Sequence, residues 1–277
     1  MNIDVSGKVV IVTGGNKGIG EGIAKGFAKE GCKVAIWGRN ENDNKKVVDE
    51  IIADGGIAIA SKVDVSSEED VAKGVQDVLD AFGGRIDVLI NNAGLSNGTN
   101  LTWKMTLDQW QKTIDVDLTG LFICSKAVIP TMINQRYGRI INISSIVGKR
   151  ITHLSGIPYS AAKAGSLGFN RHLACELGAY GITVNAVCPG NVETAWTARL
   201  WSEEERKKRY NAVPVGRLAT VWDNFYACLF FASDEASIFN AQAIDVDGGS
   251  LINWYPNEEY HRLMGEPLPQ DILDKMM

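Results

Sequence analysis

The chain lacks an excess of positive charge, a leader-like N-terminus and any long apolar run. Its 277 residues carry a net charge of −5, with a pI near 5.3, whereas nucleic acids and anionic membranes attract basic surfaces. No stretch approaches the roughly 20 apolar residues of a membrane span, and residues 1–8 contain no apolar signal region. We therefore expect a cytoplasmic protein with neither a nucleic-acid nor a membrane partner.

Cysteine is also sparse, which bears on disulfides and metals. The five cysteines are odd in number, widely spread and without a C-x-x-C pair: Cys32, Cys124, Cys175, Cys188 and Cys228. Metal sites need clustered ligands, and a free cysteine packs like a small apolar residue. The sequence therefore favours buried reduced thiols over a disulfide framework, and it predicts no metal site.

What the sequence does contain is a regular alternation of strand-like and helix-like segments. Continuous β-branched runs indicate strands that are buried on both faces. The predicted strands are Val9–Val12, Val34–Trp37, Ile57–Val63, Val88–Ile90, Arg139–Ile143, Ile182–Val187 and Ala243–Val246. The predicted helices begin near Ile19 and otherwise cover 41–54, 67–82, 108–136, 158–179 and 203–210.

Such alternation predicts an α/β fold, a Rossmann-like doubly wound parallel sheet with helices on both faces. With 45% hydrophobic residues and no linker-like break, we expect a single domain over 1–253, including a substrate lid at about 191–215. A C-terminal tail follows over 254–277. A sheet of this kind binds ligands beyond the carboxyl ends of its strands, so functional residues are sought there.

The first strand leads directly into a glycine-rich turn that opens the first helix. Its pattern is T-G-x-x-x-G-x-G, with glycines at Gly14, Gly18 and Gly20. Glycine lets the backbone approach a pyrophosphate, and the free N–H groups and dipole of the helix attract the anion. The position between strand and helix favours a dinucleotide site over an ordinary loop.

Tyr159 and Lys163 are four residues apart, so their side chains share one face of a helix. Reducing a ketone requires a proton donor, and oxidising an alcohol requires a base. Tyrosine can serve as both if its pKa, ordinarily about 10, is lowered by nearby positive charge. The lysine ammonium and an oxidised nicotinamide ring would provide that charge.

Five motifs in this order make the chain resemble the classical short-chain dehydrogenase/reductase family over nearly its whole length. They are the glycine turn, Asn91-Asn92-Ala93-Gly94, Ser145 with Tyr159-Ser160-Ala161-Ala162-Lys163, Asn185-Ala186-Val187-Cys188-Pro189-Gly190, and Asp247-Gly248-Gly249. The resemblance implies hydride transfer between a nicotinamide cofactor and a secondary alcohol or ketone. It also implies a homotetramer, in common with many relatives.

The resemblance assigns further roles to individual residues. Lys163 is expected to bind the nicotinamide ribose as well as to act on the tyrosine, and Ser145 to hydrogen-bond the substrate oxygen. Ser144 competes for this role, but the family's serine is followed three residues later by glycine, here Gly148. Asp117 stands where the family has asparagine, in Val116-Asp117-Leu118-Thr119-Gly120. This departure leaves open a different class of protein, a catalytically impaired nucleotide-binding regulator.

Cofactor choice depends on the end of the second strand, where NAD enzymes usually carry an acid. Here Gly38 and Arg39 stand at that point, and Lys17 lies in the glycine turn. A guanidinium can pair with a 2′-phosphate, so we expect NADP (NADPH) to be preferred, with NAD possible. The expected cofactor contacts are Gly14, Asn16, Lys17, Gly18, Ile19, Gly20, Arg39, Asp64, Val65, Asn91, Ala93, Gly94, Tyr159, Lys163, Pro189, Gly190, Val192 and Thr194.

The substrate pocket is expected between the loop after Ser145, the segment after Gly190 and the tail, with His153 and Trp196 as contacts. Aromatic side chains there suit a cyclic or apolar ketone, such as a hydroxysteroid or a sugar/polyol. The alternative is a 3-oxoacyl-[acyl-carrier-protein] reductase, whose acidic carrier would favour a basic pocket mouth. Three arginines keep that alternative open: Arg150, Arg171 and Arg199.

Overall fold

The computed structural model describes residues 3–95, 101–151, 155–194, 197 and 201–275. Seven parallel strands form one sheet in the order β3-β2-β1-β4-β5-β6-β9, and β7 and β8 form a small separate sheet. The strands are β1 Val9–Thr13, β2 Lys33–Gly38, β3 Ile57–Lys62, β4 Val88–Asn91, β5 Gly138–Ile143, β6 Ile182–Pro189, β7 Val192–Glu193, β8 Ala219–Thr220 and β9 Ala243–Val246. The predicted doubly wound α/β fold is confirmed.

Helices cover both faces of this sheet. They are α1 Gly18–Lys29, α2 Glu41–Ala53, α3 Glu68–Phe82, α4 Leu107–Ile114, α5 Gly120–Gln135, α6 Ile157–Leu177, α7 Glu203–Asn211, α8 Val221–Ala232, α9 Asn257–Leu263 and α10 Gln270–Lys275. Along β1, Val10 and Val12 pack with α1, α2 and α8, whereas Val9 and Ile11 pack with α3, α5 and α6. Alternate side chains of a strand point to opposite faces. A strand that is covered by helices on both faces is therefore apolar at every position.

The helices α4 and α5 are continuous through a π-helical turn at Asp115–Thr119, which the sequence did not predict. By length and composition alone, the combined helix Leu107–Gln135 could cross a membrane, with a mean hydropathy of 1.5 in a window that is 44% buried. Val128 and Met132 are fully buried in the core beneath the sheet. The apolar surface of this helix therefore packs in the protein's own core.

Two groups of elements were not anticipated. Helix α8 has an almost wholly apolar sequence, so it shows no amphipathic period, and it packs closely on α1 at Gly22 and Gly26. The tail forms α9 and α10.

Among the cysteines, all are free, but Cys175 is exposed rather than buried, because it lies on the outer face of α6. Burial raises the pKa of Cys124 to about 12, which keeps that thiol protonated.

Candidate active site

The glycine turn lies at the carboxyl edge of the sheet and is packed against the residues that follow β4. A Cβ on Gly14 would lie 3.1 Å from Ala93 Cα, and one on Gly20 would lie 2.3 Å from Gly14 O. Thr13 Oγ1 accepts hydrogen bonds from the backbone N–H of Asn92 and of Ala93, each at 2.9 Å. The turn after the first strand and the residues after the fourth therefore form one cradle. They approach each other so closely that only glycine fits in the turn, in keeping with a pyrophosphate site at the start of α1.

The far side of the cradle is formed by the segment after β6. A Cβ on Gly18, where φ is +56°, would lie 3.9 Å from Thr194 Cγ2. Thr194 is held by a hydrogen bond from its N–H to Thr197 Oγ1 at 2.8 Å. Gly190 directly follows Pro189, the last residue of β6, and its N–H bonds Val246 O at 3.0 Å. The structure thus brings the predicted cofactor residues of the N- and C-terminal halves to opposite sides of one groove.

The end of β2 has no room for the acid of an NAD enzyme. A Cβ on Gly38 would lie 2.5 Å from Asn16 Nδ2 and 2.5 Å from Asn44 Oδ1. These two side chains are themselves joined by a hydrogen bond of 2.7 Å from Asn16 to Asn44, and Asn44 donates to Gly38 O at 2.7 Å. The predicted cofactor contact Asn16 therefore also supports this corner, a role that the sequence did not reveal.

Arg39 and Lys17 are both exposed beside this corner. Asp64, beyond β3, lies close enough to Arg39 for their charges to interact. Partial burial acts in the opposite direction, but hydrogen bonds from Ser66 and the charge of Arg39 lower the pKa of Asp64. A basic side chain and an acidic one therefore flank the region where the adenosine half of a dinucleotide is expected.

Asn91, the last residue of β4, belongs to a buried polar network. Its amide donates to Ser125 Oγ and to Asn142 Oδ1, each at 3.0 Å, and Asn142 continues the network to Asn170 Oδ1 at 3.1 Å. The network joins β4 to α5, β5 and α6, and Asn91 also lines a small cavity with Ala93, Asp117 and Lys163. Its expected contact with a cofactor stays a prediction.

Lys163 is a buried charged group of the site, with 5% of its side chain exposed. Its Nζ donates to Ile143 O at 3.0 Å, lies 5.4 Å from the centroid of the Tyr159 ring, and is 3.4 Å from Asp117 Oδ2. Burial disfavours the ammonium, but interactions with Tyr159 and Asp117 outweigh it and raise the pKa of Lys163. The lysine is therefore held as a cation beside the tyrosine.

Asp117 lies on the π-helical turn, and its side chain is fully buried. Oδ1 accepts a hydrogen bond from Leu95 N at 2.6 Å, whereas Oδ2 has no hydrogen-bond partner and faces the lysine. Burial raises the pKa of Asp117, although the charge of Lys163 and the Leu95 N–H act against that effect. The sequence predicted a carboxylate near Lys163 at this position, but it did not predict the π-helical turn that carries it.

The two serines after β5 have different surroundings. Ser144 Oγ donates to Lys163 O at 3.0 Å and accepts from Ser166 Oγ at 2.9 Å, so it joins β5 to α6. Ser145 Oγ accepts from Val147 N at 3.1 Å, which leaves its proton for a substrate oxygen. A Cβ on Gly148 would lie 2.7 Å from Lys163 O. Glycine at this position allows α6 to pass close to the serine loop.

The substrate side is less completely described. His153, Trp196 and Arg199 lie outside the described residues. Arg171 is exposed on α6, and Arg150 Nη1 donates to Ser250 O at 2.6 Å. Arg150 is itself exposed and keeps its charge. Trp254, expected near the pocket, has 91% of its surface exposed.

Three comparisons place this geometry among known proteins. The sequence model described as short chain dehydrogenase matches residues 8–205. The 3-oxoacyl-[acyl-carrier-protein] reductase FabG of Chlamydia pneumoniae is 41% identical over 249 residues, covering 90% of this chain and 99% of that protein.

Solved structures agree with this match. A 3-oxoacyl-[acyl-carrier protein] reductase of Brucella melitensis with bound NAD superposes with a TM-score of 0.81 at 32% identity, covering 89% of this chain and 92% of its own. A variant of actinorhodin polyketide ketoreductase with NADPH gives 0.83 at 35% identity, covering 90% and 99% respectively. Both ligands are nicotinamide dinucleotides, one with and one without the 2′-phosphate.

Proposed function

Because the chain belongs to the classical short-chain dehydrogenase family, and is thus an NAD(P)-dependent oxidoreductase, we propose that it reduces a 3-oxoacyl thioester to the 3-hydroxyacyl thioester. The observation that carries this proposal is the 41% identity, over 90% of the chain, to a 3-oxoacyl-[acyl-carrier-protein] reductase. It favours the alternative expectation over the hydroxysteroid or sugar/polyol substrate.

A nicotinamide dinucleotide held by the glycine cradle would supply the hydride that the carbonyl carbon at position 3 needs. Tyr159 donates its phenolic proton to the carbonyl oxygen, so the ketone becomes a secondary alcohol. Lys163, whose ammonium is 5.4 Å from the phenol ring centroid, stabilises the phenolate that results. Ser145 donates a hydrogen bond to the same oxygen and holds the carbonyl in position.

NADPH is the proposed hydride donor. The glycine cradle at Gly14 and Gly20 fits a dinucleotide, because any Cβ there would fill the space between the first and fourth strands. At the adenosine end, the Asn16–Asn44 pair occupies the volume of an acidic side chain at Gly38, while Arg39 is free to meet a 2′-phosphate. These contacts support a preference for NADPH over NADH.

Asp117 has a proposed positioning role within this reaction. Its carboxylate lies 3.4 Å from Lys163 Nζ and fixes the ammonium between Ile143 O and the tyrosine. A negative charge at that place also offsets part of the positive potential that the phenol experiences. We propose an active enzyme in which this charge tunes the proton transfer, and not an impaired regulator.

The decisive experiment measures NADPH oxidation by absorbance with a panel of ketones. The panel contains a 3-oxoacyl thioester, a steroid ketone and a sugar ketone, each tested with Tyr159→Phe protein as the blank. We expect the thioester to give the highest kcat/KM by at least about tenfold, a difference of roughly 1.4 kcal/mol in transition-state stabilisation. A higher value for the steroid or sugar would contradict the proposed substrate, and no turnover with any ketone would favour the regulator.

A further inference from the structure

Asn44 is a polar residue on the buried face of α2. It is the fourth residue of that helix, it is fully buried, and the other buried residues of α2 are Val47, Val48 and Ile51. An amide among apolar side chains costs free energy unless its donors and acceptors find partners. An asparagine is stable at this position only if its hydrogen bonds are made inside the protein.

Both N–H groups and the carbonyl oxygen of the Asn44 amide have such partners. Nδ2 donates to Gly38 O at 2.7 Å and to Ser61 O at 3.1 Å, and Oδ1 accepts from Asn16 Nδ2 at 2.7 Å. One side chain of α2 therefore joins the end of β2, the strand β3 and the glycine turn. Two of these partners, Gly38 and Asn16, border the region where the adenosine half of a dinucleotide is expected.

The bond to Gly38 O fixes the peptide that carries Arg39. The same oxygen accepts from Val63 N at 3.2 Å, so the peptide plane between Gly38 and Arg39 is held from two sides. Beyond Arg39, the backbone N–H of Asn44 donates to Asn40 O at 3.0 Å. Asn44 thus holds the backbone immediately before and immediately after Arg39, whose side chain is exposed.

The bond from Asn16 has a similar effect on the second basic position. Lys17 directly follows Asn16 in the glycine turn and is exposed. Because Asn16 Nδ2 is bonded to the buried Asn44, the turn is held against α2 at the residue beside Lys17. One amide therefore positions the backbone of both basic residues on which the expected NADPH preference depends.

Holding a segment in place before a ligand arrives lowers the cost of binding. A loop that becomes ordered only on binding loses conformational entropy at that moment, and a loop that is already ordered does not. NADPH differs from NADH by its 2′-phosphate alone, so order at Arg39 and Lys17 favours only the phosphorylated cofactor. The order that Asn44 imposes therefore discriminates between the two.

We propose that Asn44 is a positioning residue for cofactor selection, which holds the Gly38–Arg39 peptide and Asn16 so that Arg39 and Lys17 meet the 2′-phosphate. Asn44 acts through these residues and not by contact, because its side chain is fully buried. The inference rests on the proposed preference for NADPH and adds the group that maintains it.

The test measures the dissociation constants of NADPH and NADH by the fluorescence of the bound reduced nicotinamide, with no ketone present. For Asn44→Ala, we expect the preference for NADPH, the ratio of the two constants, to fall by about fivefold, the effect of ordering one rotamer-rich side chain. The NADH constant should stay near its wild-type value, because NADH has no 2′-phosphate. In turnover, KM for NADPH should rise while kcat stays unchanged.

A double-mutant cycle distinguishes positioning from a general effect on the fold. Arg39→Ala and Asn44→Ala are measured alone and then combined. If Asn44 acts mainly through Arg39, its loss should change the cofactor ratio far less in Arg39→Ala protein than in the wild type, so that the effects are not additive. Two independent disturbances of the corner would add.

The matched control is Asn224→Ala. Asn224 is also fully buried and is the fourth residue of its helix, α8, but its Nδ2 donates to Thr220 O at 2.9 Å beside that helix. Its loss removes the same buried amide and should leave the cofactor ratio at the wild-type value.

A measurement on the wild type covers the case in which Asn44→Ala does not fold. Amide hydrogen exchange of residues 38–44 is followed in the cofactor-free protein and in its NADPH complex. If Asn44 orders this segment in advance, its hydrogen-bonded amides should already be protected without cofactor.

The outcomes separate the inference from the proposed function. A wild type that binds NADH more tightly than NADPH overturns the proposed cofactor and the inference with it, whichever ketone is reduced. Four results overturn the inference alone: an unchanged ratio in Asn44→Ala, an equal fall in Asn224→Ala, additive effects in the cycle, or protection of 38–44 that appears only with NADPH. A ratio that falls in Asn44→Ala, holds in Asn224→Ala and hardly responds in Arg39→Ala protein supports it.

Discussion

The carboxyl edge of the sheet and helix α7, in the segment expected to form a lid, are built in opposite ways. At the sheet edge, the side chains of Lys163 and Asp117 are 5% and 0% exposed and are held by hydrogen bonds from several elements. In the lid, α7 has no buried residue, and its end is fixed by a few bonds to the tail. The residues expected to react lie on packed elements, which hold side chains to within a fraction of an ångström. The residues expected to select the substrate lie on the surface.

The comparison predicts that a change in the packed region alters the reaction itself, and the largest effect should come from Tyr159→Phe. The ring is kept, so cofactor binding should persist, but the transferable proton is lost. We expect kcat/KM to fall by roughly 10²–10⁴-fold, the usual contribution of general acid–base catalysis. Steady-state kinetics with NADPH and cofactor titration by fluorescence measure the two quantities.

The matched control for that change is Tyr226→Phe, which removes the hydroxyl of a tyrosine on α8 that is 62% exposed. It should behave like the wild type in both measurements. If Tyr159→Phe kept more than about a tenth of the activity, another group would have to be the proton donor.

The second prediction concerns cofactor choice at the edge of the packed region. Arg39→Asp should reverse the preference for NADPH, because it replaces a charge-assisted hydrogen bond to the 2′-phosphate by repulsion. Such a bond contributes about 1.5–3 kcal/mol, which corresponds to a change of roughly ten- to hundredfold in the ratio of kcat/KM values for the two cofactors. Arg171→Asp, on the exposed face of α6, is the control. A wild type that already prefers NADH would show the interpretation of Gly38 and Arg39 to be wrong.

The smallest expected effect is that of Asp117→Asn on pH dependence. With Asp117 ionised, its charge offsets part of the positive field of Lys163, 3.4 Å away, and an amide at this position would not. Removing the carboxylate should move the rise in alcohol oxidation to lower pH by up to about 1 unit, since charges at this range interact by about 1–2 kcal/mol. The measurement is the pH profile of kcat/KM for the 3-hydroxyacyl thioester with NADP.

Two results would contradict that prediction. Identical profiles would mean that Asp117 is uncharged in the working pH range or electrostatically silent. An inactive wild type that gains activity in Asp117→Asn would support the regulator instead.

The same division explains how far the sequence could predict the molecule. Buried strands have a continuous apolar pattern, so β1 was predicted at Val9–Val12 against the observed Val9–Thr13. Helix α6 was predicted at 158–179 against Ile157–Leu177. Helix α8 was missed because even its exposed positions include apolar or aromatic residues such as Trp222 and Tyr226, so no polar face shows the period. Site residues were found where a motif fixes them, as at Tyr159 and Lys163.

What could not be predicted depends on contacts between distant segments. Nothing near Gly38 in the sequence indicates that Asn44 closes the space beside it, and nothing near Asn257 indicates that it bonds Val213 O. Such contacts follow from the folded arrangement of elements and from side-chain rotamers. The substrate residues His153 and Trp196 stay predictions, since they lie outside the described residues.

The corner at Gly38 also limits which mutations this enzyme can accept. An acidic side chain there would place its Cβ 2.5 Å from both Asn16 Nδ2 and Asn44 Oδ1, so at least one of these side chains would have to move and their mutual hydrogen bond would be disturbed. An acid at the end of β2 therefore requires this corner to repack. Arg39 is exposed and has no such constraint. Natural drift or laboratory evolution towards NADH should accordingly begin at residue 39.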